Sequence, residues 1–284
     1  MTITAKSVLS SVSPDGVRID TLLLRYPRFI HSEFMTHRQF SRNASSSRAI
    51  PVDRLIADVE NDPAMPVFWG KNQKGMQARE ELSEDDKECM VNSWIEAKDN
   101  AVRIASSMAT SGAHKQIVNR ILEPFAHINV VVTATEWDNF FALRIHEDAQ
   151  PEIKALAVAM RDAIEGSTPQ HLFHGEWHLP FVTDDEISEY GFSDDDGELR
   201  YISAARCART SYKTHDGRVS TLEEDIALGE RLTKSRPFHA SPFEHQATPD
   251  FYIETETGKE WFQPYLHRNF AGWIQNRANM EEEL

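Results

Sequence analysis

Two apolar runs constrain this chain more than any other feature. VRIDTLLLRYP (residues 17–27) and HINVVVTAT (127–135) each read as a strand. Helical patterns stand between and after them. Pro27 should open a helix over PRFIHSEFMTHRQF (27–40), with Phe29, Ile30, Phe34 and His37 near helical spacing. Residues 51–85 carry prolines and charges and read as irregular. Residues 92–112 form an amphipathic helix through Trp94, Ile95, Val102, Ile104 and Met108, ending at Gly112. KQIVNRILEP (115–124) is a shorter helix stopped by Pro124. Thr135 and Asp138 mark a capped start for EWDNFFALRI, and Pro151 opens another helix over 151–166. The acidic stretch 181–200 reads as a surface excursion, followed by a helix over 221–234 and a strand at DFYIETET (250–257). Strand and helix are interspersed without the regular alternation of a doubly wound sheet, so the expected class is α+β.

Composition narrows the function. The 284 residues, 40% hydrophobic with 15 Phe and 6 Trp, suffice for a substantial core. No apolar run of membrane-spanning length occurs, and MTITAKSVLSSVSPDG lacks the apolar centre of a leader, so a soluble cytoplasmic protein is expected. Two cysteines make neither a metal-type CxxC nor a disulfide framework. A net charge of −15 argues against nucleic acid as partner, because phosphate backbones require a basic face. It leaves room for a small anion held in one local basic pocket.

That pocket has a candidate. THRQFSRNASSSRAIP (36–51) gathers Arg38, Arg42, Arg48, His37 and four serines. Arginine forks suit phosphate, and serine hydroxyls with backbone amides complete an anion cradle. The segment has no glycine, so it is neither a Walker loop nor a Rossmann turn. The competing reading is a solvated, helix-capping surface loop.

HRQFSRNASSSR resembles the signature of the flavin-dependent thymidylate synthases, RHR followed seven residues later by Ser. His37 and Arg38 match its second and third positions and Ser46 its serine, whereas Thr36 stands where the first Arg belongs. SGAHKQIVNRILEP resembles the family's Arg-x-x-x-Pro segment, with Arg120 in the arginine's place. WDNFFALR resembles its Asn-x-x-x-Leu-Arg helix, giving Asn139 and Arg144. AARCARTSY is similar to a flavin-contacting segment, giving Ser211, and FHASPFEH to another, giving His239, Ser241, Glu244 and His245. In the usual family these last two segments precede the signature. A circular permutation accounts for the order, and NFAGWIQNR (269–277) would then be a degenerate echo of the signature helix. The resemblance implies one permuted thymidylate synthase-like domain over 1–284, a mixed sheet flanked by helices. Its signature and nucleotide-binding half is 1–165, its acidic connection 166–200 and its flavin-contacting half 201–284.

The resemblance also implies a chemistry. FAD, with NADPH as reductant, would work with methylenetetrahydrofolate to methylate C5 of dUMP, giving dTMP without a nucleophilic cysteine. Thr36, His37, Arg38, Asn139, Ser211, Ser241, Glu244 and His239 would lie against FAD or the flavin–folate gap. Glu33, Ser45, Ser46, Ser47, Arg48, Arg120 and Arg144 would hold the nucleotide, and Arg144 would be catalytic, stabilising the base as N3 loses a proton. The family's sites form between subunits of a homotetramer, so an oligomer is implied. Glu33 replaces a usual Gln and Ala44 a usual Glu. A carboxylate only accepts hydrogen bonds, so dCMP, through its amine, is an alternative substrate and a hydroxymethyl group an alternative product. A virus-type enzyme in host cytoplasm would fit such changes. An inactive nucleotide- or flavin-binding scaffold is the reading from another class.

QHLFHGEWHLPF brings His171, His174, Glu176 and His178 close in sequence. Packing or pocket lining is the expectation there, with no metal. The acidic runs at Asp184 and Asp194 read as solvated surface, and Trp137, Phe140 and Phe141 as core.

Overall fold

A computed structural model describes residues 3–190, 194, 197–210, 220–256 and 258–282. Both apolar runs are strands and neighbours. β2 (Arg18–Pro27) lies at the centre of a five-stranded sheet, between β1 (Thr4–Val12) and β4 (His127–Ala134). β3 (Ser41–Ala44) adds to β4 at one edge, and β5 (Gln170–His171) adds to β1 at the other. Every pairing is antiparallel except β1 with β5, so the sheet is mixed. The expected α+β class, a mixed sheet flanked by helices, is the architecture observed.

The pleat gives the two faces of this sheet different chemistry. Leu22 pairs with Val132 and Leu24 with Val130, and these pack beneath α6 (Pro151–Glu165) through Ile153, Leu156 and Met160. On the opposite face Thr21 pairs with Thr133. There a buried polar chain runs from Ser11 Oγ to His178 Nδ1 (2.8 Å) and from His178 Nε2 to Thr21 Oγ1 (2.9 Å). It continues from Thr21 to Thr133 (2.7 Å) and from Thr133 to His245 Nδ1 (2.8 Å). Burial lowers the pKa of both histidines to about 3, so both are neutral.

A second core joins α2 (Val52–Asn61), α3 (Glu84–Thr110) and α4 (Lys115–Leu122) through Leu55, Val59, Ala105, Val118 and Leu122. Here the expectation of irregular chain over 51–85 holds for 62–83 but is corrected over 52–61. Val52, Leu55, Ile56 and Val59 follow helical spacing just after Pro51, and α2 forms on them. α3 also begins earlier, at Glu84, where Ser83 Oγ accepts the Asp86 amide. The helix expected over 27–40 does open after Pro27, as a 3-10 turn (Arg28–Ile30) running into α1 (His31–Phe34), but it stops there. Beyond it Arg42 Nη1 donates to the carbonyls of Met35 and His37, both at 3.0 Å, and Thr36 Oγ1 to that of Glu33, so side chains satisfy groups that a longer helix would have used.

The acidic stretch is exposed at Asp184 and Asp185, as expected, but it is anchored in the fold at Ile187 and at Asp194. α7 (Asp184–Tyr190), α8 (Glu198–Arg209) and α9 (Leu222–Lys234) pack through Trp177, Ile187, Leu199 and Ile202. Arg206 grips both oxygens of Glu186 (2.7 and 2.8 Å) and reaches Asp225 (2.8 Å), lowering the Glu186 pKa to about 2. Buried Asp194 caps α8 by accepting the Leu199 amide at 2.8 Å. α8 and α9 approach so closely at Gly229 that a Cβ there would stand 2.5 Å from that of Tyr201.

The C-terminal region is built from small sheets. β6 (Ala247–Pro249) pairs with β9 (Trp273–Gln275), and β7 (Tyr252–Thr255) pairs with β8 (Gly258–Trp261). α10 (Asn276–Glu282) follows. NFAGWIQNR is therefore turn, then strand, and becomes helix only at Asn276, unlike the echo helix expected. Among the described residues no helix is long and apolar enough to cross a membrane.

Candidate active site

The signature forms a turn between α1 and β3, set against α5 (Asp138–Arg144). Phe40 is buried, and the His37 ring sits edge-on to Phe140 with centroids 4.7 Å apart. Arg144 Nε donates to His37 Nε2 at 2.9 Å, and its Nη2 reaches Thr36 Oγ1 at 3.4 Å. Burial, then the charges of Arg144 and Arg42, lower the His37 pKa to about 4. His37 is thus a neutral acceptor, and Thr36 adds a second acceptor for Arg144 where another arginine would repel it. Arg38 and Asn139 are exposed in the same cavity, of about 740 Å³, with Trp137 and Phe140 among its walls.

A second cavity, of about 870 Å³, lies where the chain leaves β3. Ser45, Ser46 and Arg48 line one side, and His239 and Ser241 another. Ser45 continues the β4 ladder, donating its amide to Asn129 O (2.8 Å) and accepting the Asn129 amide on its hydroxyl (3.1 Å). The 3-10 turn Ser241–Glu244 packs against β3 and α8, with Phe243 buried and Arg277 paired to Glu244. The late segments therefore meet the signature in space. Ser211 lies outside the described residues.

Four expected nucleotide ligands, Arg120, Ser47, Glu33 and Arg144, are not brought into that cavity. Arg120 is half exposed and pairs with Glu123 at 2.9 Å. Ser47 is buried and donates to the same carboxylate, which Arg28 also approaches at 3.2 Å. Glu33 faces a third cavity, of about 1430 Å³, beside Phe29 and Trp94, and Arg144 lines this one as well as the first.

Asn119 was missed by sequence reasoning. Its Nδ2 donates to the carbonyls of Ser47 (2.7 Å) and Ile50 (2.9 Å), fixing the serine loop from inside. A polar residue beside Val118 on the buried face of an amphipathic helix was the available signal. The second signal overlooked is a repeat. His267-Arg268-Asn269-Phe270 echoes His37-Arg38-Gln39-Phe40, again in a turn shortly before a strand, although Arg268 takes a positive φ of 55°. The copies touch, with Asn269 Nδ2 donating to Gln39 O at 2.8 Å.

The histidine loop is packing. His174 stacks on Phe251 at 3.6 Å and His178 belongs to the buried chain, while Glu176 accepts the Phe173 amide at 2.7 Å. Among the described residues no three His, Cys, Asp or Glu side chains are grouped to hold a metal ion.

A signature turn anchored by buried Phe40, whose histidine accepts from the arginine closing α5, is thus joined to a serine loop on the same sheet edge. The family described as "Thymidylate synthase complementing protein" matches residues 19–170, more than half of the chain, and the chain belongs to it. Flavin-dependent thymidylate synthase of Aquifex aeolicus (strain VF5) is similar at 24% identity over 147 residues, 51% of this chain but 44% of that relative. The chain therefore spans less than half the length of this curated relative. Solved structures of the UMP/dUMP methylase PolB from Streptomyces cacaoi are also similar. The form bound to 5-Br dUMP aligns at 20% identity and TM-score 0.48, over 57% of this chain and 90% of that one. The form bound to 5-Br UMP aligns at 21% identity and TM-score 0.47, over 57% and 88%. The family match contains Glu33, the signature, Arg120, Asn139 and Arg144, and ends before His239, Ser241 and Glu244.

Proposed function

We propose that this chain is a flavin-dependent methyltransferase, moving a one-carbon unit from methylenetetrahydrofolate to C5 of dUMP to give dTMP, with NADPH as reductant. The observation that carries the reading is the Arg144–His37 pair at 2.9 Å within the family-matched span.

The residues of the 740 Å³ cavity fit a flavin. Arg38 offers an exposed guanidinium with no partner among the described residues, Asn139 an exposed amide, and Trp137 and Phe140 an aromatic wall. His37, Arg38, Thr36 and Asn139 would hold FAD from this side, and Ser241, His239, Glu244 and Ser211 would hold it from the other. When bound, the flavin supplies the hydride that completes the methyl group. Neutral His37 orients Arg144 through its Nε2 and leaves the remaining guanidinium donors for the pyrimidine as N3 loses its proton. Ser45, Ser46 and Arg48 would receive the nucleotide's polar and anionic edges. Glu33 and Arg144 face a different cavity from Ser46 and Arg48. That separation supports completion of each site by another copy of the chain, as in a homotetramer. Permuted segment order in a single domain and a cytoplasmic location belong to the same reading.

The test is product mass after incubating the protein with FAD, NADPH and methylenetetrahydrofolate, with dUMP and dCMP in parallel. A methyl-sized gain on dUMP is expected. A gain only on dCMP, or one of hydroxymethyl size, would redirect the reading to a modified DNA precursor, and no gain on either would overturn it.

A further inference from the structure

In a chain of net charge −15, the 870 Å³ cavity is lined by six arginines, Arg25, Arg42, Arg48, Arg54, Arg209 and Arg231. Asp58 is the one carboxylate among its described lining residues. Three of the guanidiniums are engaged within the fold: Arg25 with Asp62 at 2.7 Å, Arg42 with backbone carbonyls at 3.0 Å, and Arg209 with Asp225. Arg48, Arg54 and Arg231 have no hydrogen-bond or ion-pair partner among the described residues. They come from three separate elements, the serine loop, α2 and α9, and meet at one cavity.

Like charges brought together without counter-charge repel one another, and the repulsion is relieved when an anion enters. Guanidinium forks match phosphate oxygens in geometry as well as charge. Arg48 belongs to the family-like serine loop, whereas Arg54 and Arg231 belong to no motif. We infer that Arg54 and Arg231 join Arg48 in holding a phosphate group of the bound ligand, making α2 and α9 the phosphate grip of this cavity. Two sources share that chemistry, the 5′-phosphate of the pyrimidine nucleotide and the pyrophosphate of the dinucleotide cofactor. The choice between them rests on the methyltransferase reading, but the arginine site itself does not.

The experiment titrates the full chain and its Arg54→Met and Arg231→Met variants with dUMP against deoxyuridine, FAD against riboflavin, and inorganic pyrophosphate alone. Methionine keeps the apolar stem, thermal melting checks folding, and Arg54→Lys and Arg231→Lys restore charge without the fork. Loss of a charge-assisted contact should weaken binding by about tenfold to a hundredfold. The expected result is that loss for pyrophosphate and for the phosphorylated member of one pair, its unphosphorylated counterpart unchanged, with partial rescue by lysine. The pair affected identifies the source. Variants that bind dUMP, FAD and pyrophosphate as tightly as the parent overturn the inference, as does a parent that binds none of the three. A parent that binds neither dUMP nor FAD, yet binds pyrophosphate in an arginine-dependent way, overturns the methyltransferase reading and leaves the grip standing.

Discussion

The turns His37–Phe40 and His267–Phe270 have the same sequence plan and the same setting. Each follows a short helical turn, buries its phenylalanine and leads into a strand. What the histidine and arginine meet is different. In the C-terminal copy His267 Nε2 bonds Asp250 Oδ2 at 2.9 Å, with both groups buried, and Arg268 pairs with Glu281 at 2.8 Å. In the N-terminal copy His37 meets a guanidinium, and Arg38 meets nothing among the described residues. One turn has its polar groups consumed by carboxylates of the fold, and the other leaves Arg38 without a partner among the described residues while His37 meets Arg144. The first is structure, and the second is the proposed site. Asn269 ties them together through Gln39 O.

Asp250 is the place where the contrast is most exposed to test. It accepts from the Phe251 amide (2.8 Å) and the Gln263 amide (2.9 Å) as well as meeting buried His267, so Asp250→Ala removes three hydrogen bonds at once, one of them fully buried. A destabilisation of about 3–5 kcal/mol is expected by urea unfolding, with flavin affinity of the folded fraction unchanged. Arg144→Ala should do the reverse, lowering kcat about 10²–10³-fold while moving the urea midpoint little. A variant whose kcat stays within twofold of the parent would remove Arg144 from the chemistry.

Acid should act on the N-terminal turn and on the sheet behind it. His31, His37 and His127 are held at about 4, and His178 and His245 at about 3, chiefly by burial, against an ordinary value of 6.5. The unfolded chain takes up these protons below pH 6.5, and the fold resists them. Their contribution to stability is therefore full above 6.5 and declines as the pH falls toward 3. A melting temperature flat from pH 7 to 4 would contradict this. The smallest effect belongs to the link between the turns. Asn269→Ala should cost about 1 kcal/mol in unfolding and loosen flavin binding only modestly, and a large loss of binding would mean that the C-terminal turn contacts the ligand itself.

Much of this was readable in the chain. β2 and β4 announce themselves as apolar runs, α4 and α6 as periodic segments bounded by prolines, and α9 by a Thr221–Glu224 capping box. The motif residues His37, Arg38, Asn139 and Arg144 do share a cavity. What escaped depends on partners distant in sequence. Arg120 and Glu123 stand at helical i,i+3 spacing, but nothing local says that Glu123 also takes Ser47, or that Arg206 neutralises Glu186 and Asp225. A charged side chain looks solvated until the fold shows its counter-ion. The His-Arg-x-Phe repeat was visible as letters, but only Asp250 and Glu281 reveal that its second copy is closed.

The measurement that bears most directly on this account is a flavin titration by visible absorbance of the parent protein, Arg38→Ala and Arg268→Ala. Arg38→Ala is expected to lose FAD binding by about tenfold or more, while Arg268→Ala binds as the parent does. Equal losses in both variants, or loss in Arg268→Ala alone, would contradict it.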